Sequence, residues 1–190
     1  MSKLIVDREF MTAPLTGMQF GTFLSAMDLG TAYRDQILLS DKAIYFNMMG
    51  KLPNQKQREN VNEALEFLIN EGHVVAIALG HGNYIVDCQR SFHYDLDRLS
   101  HGGKMLVYED IKKIMQSGQS WQGALRYYLM LADHMTKDNR CSYSRQYFAN
   151  KLKMNEASLT RYNSLLKKLG VIIIVPRMDM PSYYYLKHST

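Results

Sequence analysis

From residue 120 onward the apolar positions of the chain fall into three helical stretches followed by two extended ones. In the first stretch Trp121, Leu125, Tyr128, Leu129 and Ala132 recur at intervals of three and four, which predicts a helix with Ser120 as its N-cap. Thr136-Lys137-Asp138-Asn139-Arg140 is polar and turn-forming, and reads as a loop. Ser144 opens a second, short helix carrying Tyr147, Phe148, Ala149 and Leu152 at helical spacing. Lys153-Met154-Asn155 makes a tight turn, and Asn155 caps a third helix with Leu159, Tyr162, Leu165, Leu166 and Leu169 on its apolar stripe. Gly170 ends that helix as a left-handed stop. The period then changes. Val171-Ile172-Ile173-Ile174-Val175 is a β-branched run of the kind strands favour. A turn bounded by Pro176 and Pro181, which also keep the strand edge from pairing, leads to a second strand at Tyr183-Tyr184-Tyr185-Leu186.

The same signals occur earlier in the chain. Aligned on Gly72 and Gly170, the run from Ala64 to Ile77 parallels that from Tyr162 to Val175, an offset of 98 residues. Residues 74–79 then form a strand, Gly80-His81-Gly82-Asn83 a hairpin tip, and residues 84–87 the return strand. Upstream lie a helix over residues 41–49, a break over residues 50–54, and a long helix after Asn54. The expected fold is α+β and mostly helical. It comprises two winged helix-turn-helix modules, residues 1–100 (with an N-terminal extension) and residues 101–190, arranged as an internal pseudo-dimer. A polar connection over residues 91–103 and a short helix ending at Met115 bridge them.

Composition narrows the function. Hydrophobic content of 46% and aromatic content of 11% are those of a chain with a core, and no apolar run reaches the roughly 20 residues of a membrane span. The charged start, with Lys3, Asp7, Arg8 and Glu9, does not read as a secretory signal, so a cytoplasmic protein with no membrane partner is expected. Cys88 and Cys141 lack metal-ligand or disulfide-framework spacing. Phosphate-loop, nucleophile-elbow and zinc-helix motifs are absent, His73, His81, His93 and His101 show no ligand spacing, and Asp95 and Asp97 lack the partners of a nuclease site. Neither an enzyme nor a cofactor is expected. The net charge of +5 is unevenly spread. Residues 1–103 carry 9 Lys/Arg against 12 Asp/Glu, a net of −3, and residues 104–190 carry 14 against 6, a net of +8. A polyanion is drawn to the second half.

The stretch from Ser144 to Tyr162 resembles the helix-turn-helix of replication-initiator and regulator families, with an Ala of the first helix packed against the turn. Leu165-Leu166-Lys167-Lys168-Leu169-Gly170-Val171-Ile172 resembles their helix end and wing entry. Size, duplication and the absence of other parts resemble the TraN-like conjugation accessory proteins of Gram-positive mobile elements. The implied partner is double-stranded DNA, bound by a monomer whose two modules read half-sites about one helical turn apart. The implied role is accessory or regulatory in conjugative plasmid transfer, alongside other transfer or replication proteins. An origin-binding replication initiator is the alternative, and a winged-helix protein-interaction adaptor is the second. On the third helix Asn155, Glu156, Ser158, Thr160, Arg161, Ser164 and Lys168 face outward to the groove, with Arg161 placed to read guanine and Asn155 otherwise a cap. Arg145 and Lys151 meet phosphates and Arg177 sits at the wing tip. In the first module Lys51, Gln55, Lys56 and Arg58 take the corresponding places on an exposed helix start.

Overall fold

The computed structural model describes residues 2–33, 35–92 and 103–187. Of the polar connection expected over residues 91–103, residues 93–102, with His93, Asp95, Asp97 and His101, lie outside the described residues, while Ser91 and Phe92 are buried at the end of a short helix. The fold mixes helices and strands, nine helices and eight strands among the described residues. Their order is β1 (Lys3–Val6), α1 (Arg8–Thr12), α2 (Gly17–Gly30), β2 (Gln36–Ser40), α3 (Asp41–Met49), α4 (Gln55–Asn70), β3 (Ala76–Gly80), β4 (Asn83–Asp87) and α5 (Cys88–Phe92). The second half continues with β5 (Lys104–Val107), α6 (Tyr108–Met115), α7 (Trp121–Asp133), β6 (Arg140–Cys141), α8 (Arg145–Leu152), α9 (Glu156–Lys168), β7 (Ile172–Arg177) and β8 (Met180–Leu186).

Local chemistry sets these boundaries. Thr16 and Gln19 form a reciprocal capping box at the start of α2, and Asn54 and Gln57 do the same for α4. Ser40 caps α3 through the Ala43 N–H, and Ser144 caps α8 through that of Tyr147. Ser120 does stand at the start of α7, but its side chain makes no capping bond. Gly50 and Lys153 both adopt the left-handed conformation at the ends of α3 and α8. For Lys153, at φ 52°, this is the strained choice that a three-residue turn imposes.

Each half carries a three-stranded antiparallel sheet in which the last strand is central, in the orders β2-β4-β3 and β6-β8-β7. β2 and β6 were not expected from the sequence. Arg140, read as loop, pairs with Tyr185 instead. The prolines also differ from expectation. Pro176 lies inside β7, at a bulge between Val175 and Arg177, and Pro181 inside β8, so the turn shrinks to Met178-Asp179. Both are tolerated for a physical reason. β7 is an edge strand, and the two-residue β6 pairs only with Tyr184 and Tyr185, leaving the stretch of β8 around Pro181 without a partner on that side.

The halves share one apolar core. Helices α2 and α7 run through it, and ten residues of each are buried. They touch closely where they start: a Cβ at Gly17 would lie 2.5 Å from Gln122 Cα, and the Trp121 ring packs 3.1 Å from where a Gly21 Cβ would stand. A second tie is an antiparallel ribbon in which Lys3–Val6 pairs with Lys104–Val107, register Lys3↔Val107 through Val6↔Lys104. The hydroxyls of Tyr108 and Ser25 meet at 2.7 Å in the buried interior, and burial pushes the Tyr108 phenol well above its ordinary value. At the surface Arg8 Nε stands 2.8 Å from the buried Asp133 carboxylate.

Candidate nucleic-acid interface

In the second half α9 is held by its apolar side. Leu159 and Leu166 are fully buried, and the Tyr127 hydroxyl donates to Asn163 Oδ1 at 2.9 Å within the interior. Asn163 is a buried polar residue that helical periodicity alone did not single out. A Cβ at Gly123 would collide with the Tyr162 ring, so α7 and α9 approach at a glycine.

The opposite side of α9 is exposed at Asn155, Glu156, Thr160, Arg161, Ser164, Lys167 and Lys168, with Ser158 half-buried. Asn155 accepts from the Ser158 N–H at 2.7 Å, so its oxygen serves as the helix cap. Arg161 donates to Ser158 Oγ at 3.1 Å, which holds its guanidinium beside the first turn of the helix. Arg145, the first residue of α8, donates to Thr160 Oγ1 at 3.0 Å and so lies across the face of α9. Thr160 was expected as an outward position of this helix; its bond to Arg145 comes from the crossing of the two helices, which spacing along the chain does not show. Ser164 turns its hydroxyl back to the Thr160 carbonyl at 3.1 Å. Lys151 lies 5.9 Å from the Tyr147 ring centroid and Lys168 stands free in the last turn of α9. Arg177 packs over Tyr183 at 4.3 Å and against the Met180 sulfur, so its stem is fixed on the hairpin. A cleft of about 510 Å³ separates the starts of α8 and α9 from this hairpin tip, with Arg145, Glu156 and Asp179 on its walls.

The first half has a cleft of about 670 Å³ at the corresponding place, between the starts of α3 and α4 and the β3–β4 tip. Its chemistry is different. Arg58, expected as an exposed contact, is half-buried and bound to the buried Asp41 carboxylate, with Nε 3.1 Å from Oδ2. Its second nitrogen donates to the His81 carbonyl at 3.3 Å, and the Asp41 N–H donates to the Gly82 carbonyl at 2.9 Å. A Cβ at Gly82 would overlap the carboxylate, so only glycine admits this approach. The guanidinium therefore clasps the hairpin tip to α4. Lys51 and Lys56 are exposed, and Gln55 is exposed but bonded to Glu59 at 2.9 Å. Along the exposed side of α4, Lys56 stands against Glu59, Glu63 and Glu66, whereas α9 shows Arg161, Lys167 and Lys168 against Glu156 alone. Asn62 and Glu66 accept from the Tyr84 hydroxyl, whose pKa is pushed up to about 12 by burial and then by the Glu66 charge.

No protein-family model matches this chain. No curated protein matches it in sequence. Among the described residues no three His, Cys, Asp or Glu side chains converge to hold a metal ion, and no helix is long and apolar enough to cross a membrane.

Proposed function

We propose that the chain binds double-stranded DNA through its second half, as the reading member of two winged helix-turn-helix modules that form an internal pseudo-dimer. The observation that carries the reading is the basic face that three elements supply together: Arg145 on α8, Arg161 and Lys168 on α9, and Arg177 on the hairpin. Long-range attraction brings a duplex to such a face, and a helix with basic and hydroxyl side chains at its start offers base-edge contacts there. The repeated order of helix, strand, two helices and two strands supports the two-module reading, as does the matching strand order of the two sheets. The β1–β5 ribbon supports the pseudo-dimer. Lys3 and Lys104 open equivalent strands, and each pairs with the last residue of the other, as a two-fold axis between the halves requires.

The halves do not contribute equally. With Arg58 engaged by Asp41 and three exposed glutamates along α4, the first module repels phosphates where the second attracts them. Lys51, Gln55 and Lys56 then act as flanking contacts at most. The proposed role in conjugative transfer, and the alternative of a replication origin, rest on the resemblance of the helix-turn-helix and wing. The acidic α4 favours the adaptor as second reading, with the first module facing a protein and the second facing DNA.

The test is selection from a randomised duplex pool at two salt concentrations, with Arg161→Ala and Lys168→Gln beside the unaltered chain. Lys168→Gln weakens binding to all sequences alike and lowers the salt slope by about 1. Arg161→Ala costs about 1–3 kcal/mol at one or two base positions and leaves the rest of the motif intact. Absence of salt-dependent binding to any duplex refutes the reading.

A further inference from the structure

The outer strand of the first sheet carries a feature that DNA binding leaves unused. β3 is an edge strand, and from Val74 to Gly82 the chain has no Asp, Glu, Lys or Arg. Ile77 is 64% exposed and Leu79 53%, and across the sheet Leu38 of β2 is 64% exposed. These side chains are not scattered. The register places Leu38 opposite Ile85, and Ile85 opposite Ile77, so an apolar row crosses all three strands on one face. Ile77, Leu79 and Leu38 alone leave on the order of 300–400 Å² of apolar side chain in water, the size of the largest patch on a typical monomer.

The backbone of β3 is open as well. The Asp87 N–H donates to the Val75 carbonyl, and from that bond the antiparallel alternation turns Ile77 toward β4 and the N–H and C=O of Ala76 and Ala78 toward the free edge. An uncovered edge without charge or proline is a template for another strand. The second half shows what protection looks like at the same place. Both outer strands have a bulge before the tip, but β7 also carries Pro176 and Arg177, and in the register that aligns Gly72 with Gly170 the counterpart of Pro176 is Ala78.

We propose that β3 pairs antiparallel with β3 of a second copy of this chain, joining two three-stranded sheets into one of six strands. The occupant is a second copy because the strand is its own complement: short, apolar and uncharged, with two bonding residues spaced to meet their own two-fold image. The pairing sets Ala76 against Ala78 of the second copy and Ile77 against its own image. Ile77 thus occupies a non-hydrogen-bonded pair, where side chains approach most closely. The apolar row then runs without a break from one Leu38 to the other. The strand edges with Ile77 and Leu79 of both copies cover on the order of several hundred Å², less than a standard specific interface. The association is therefore weak and concentration-dependent, and it leaves both α9 faces free.

The experiment measures the solution mass of the full chain over a wide concentration range by sedimentation or light scattering. The unaltered chain shifts from monomer to twice that mass as concentration rises. Ala78→Pro, which copies what the second half already accommodates, and Ile77→Lys, at an exposed position, both remain monomeric with unchanged thermal unfolding. Ile77→Cys forms a disulfide-linked dimer under mild oxidation, since Cβ atoms of a non-hydrogen-bonded pair approach to about 4.5 Å or less, within disulfide reach. A chain monomeric at every concentration overturns the proposal, and so does a dimer that neither variant dissociates. Duplex binding, measured on the same samples, separates the two readings: its loss with the dimer intact counts against the DNA assignment alone.

Discussion

Replacing Arg58 by Met tests whether this residue clasps the fold or touches DNA. The substitution keeps an unbranched stem against α4 and removes only the charge and its donors. Asp41 stays behind with its side chain 5% exposed and, at the Gly82 backbone, no room to turn away. Breaking a buried ion pair from one side costs about 3–5 kcal/mol, and because Arg58 is 26% exposed, so that water reaches the pair, the lower figure of about 2–3 kcal/mol applies here. In a chain of this size that corresponds to a fall in Tm of roughly 5–10 °C. Urea unfolding followed by circular dichroism reads the loss. Asp41→Asn in the same background returns part of it, because the partnerless carboxylate is then gone, and the cycle shows a coupling of at least about 1 kcal/mol. Duplex binding by folded Arg58→Met is unchanged. Stability within about 0.5 kcal/mol of the original together with weakened duplex binding refutes the clasp and returns Arg58 to the DNA-contacting set.

Two further outcomes follow from the packing. Gly17→Ala improves helix propensity by about 1 kcal/mol, yet drives a methyl into the Gln122 backbone. The net is a destabilisation of about 1–3 kcal/mol, seen as one cooperative unfolding transition because the halves share a core; a more stable variant contradicts the close crossing. Alkaline titration gives the second. Tyr84 ionises near 10 in the unfolded chain and at about 12 in the folded one, so the folded state favours the neutral phenol. Its contribution is whole below pH 10 and is lost as pH rises toward 12. Phenolate absorbance from Tyr108, Tyr127 and Tyr128, all raised by burial, appears only with loss of circular dichroism; ionisation without unfolding contradicts their burial.

Much of the local structure was written in the chain. α8, α9, the β7–β8 hairpin and the long α4 announce themselves by three-and-four spacing, by Ser144, Asn155 and Asn54 at their starts, and by Gly72 and Gly170 past their ends. α2 did not, because a helix buried on nearly every side has no polar face to set its period, and Gly17, Gly21 and Gly30 read as breaks. β2 and β6 are short strands whose partners lie more than forty residues away, so pairing rather than propensity makes them. The basic residues of α9 were legible as an outward face. Arg58 is less exposed than expected, since its partner Asp41 lies on another helix, seventeen residues earlier, and spacing along α4 carries no trace of it. The bond from Arg145 to Thr160, fifteen residues on and across two helices, was hidden for the same reason.

The ribbon between β1 and β5 has a consequence for the order in which the chain is made. The strand partner of Lys3 is Val107, so during synthesis β1 waits for its pairing until more than a hundred further residues have been made. Until then Leu4 and Val6, fully buried in the finished fold, have α2 beside them but neither their pairing strand nor the second half of the core. The entropy of closing so long a loop grows only slowly with its length. The penalty is in time, during which an unpaired apolar strand on a nascent chain is a target for whatever binds unfinished proteins.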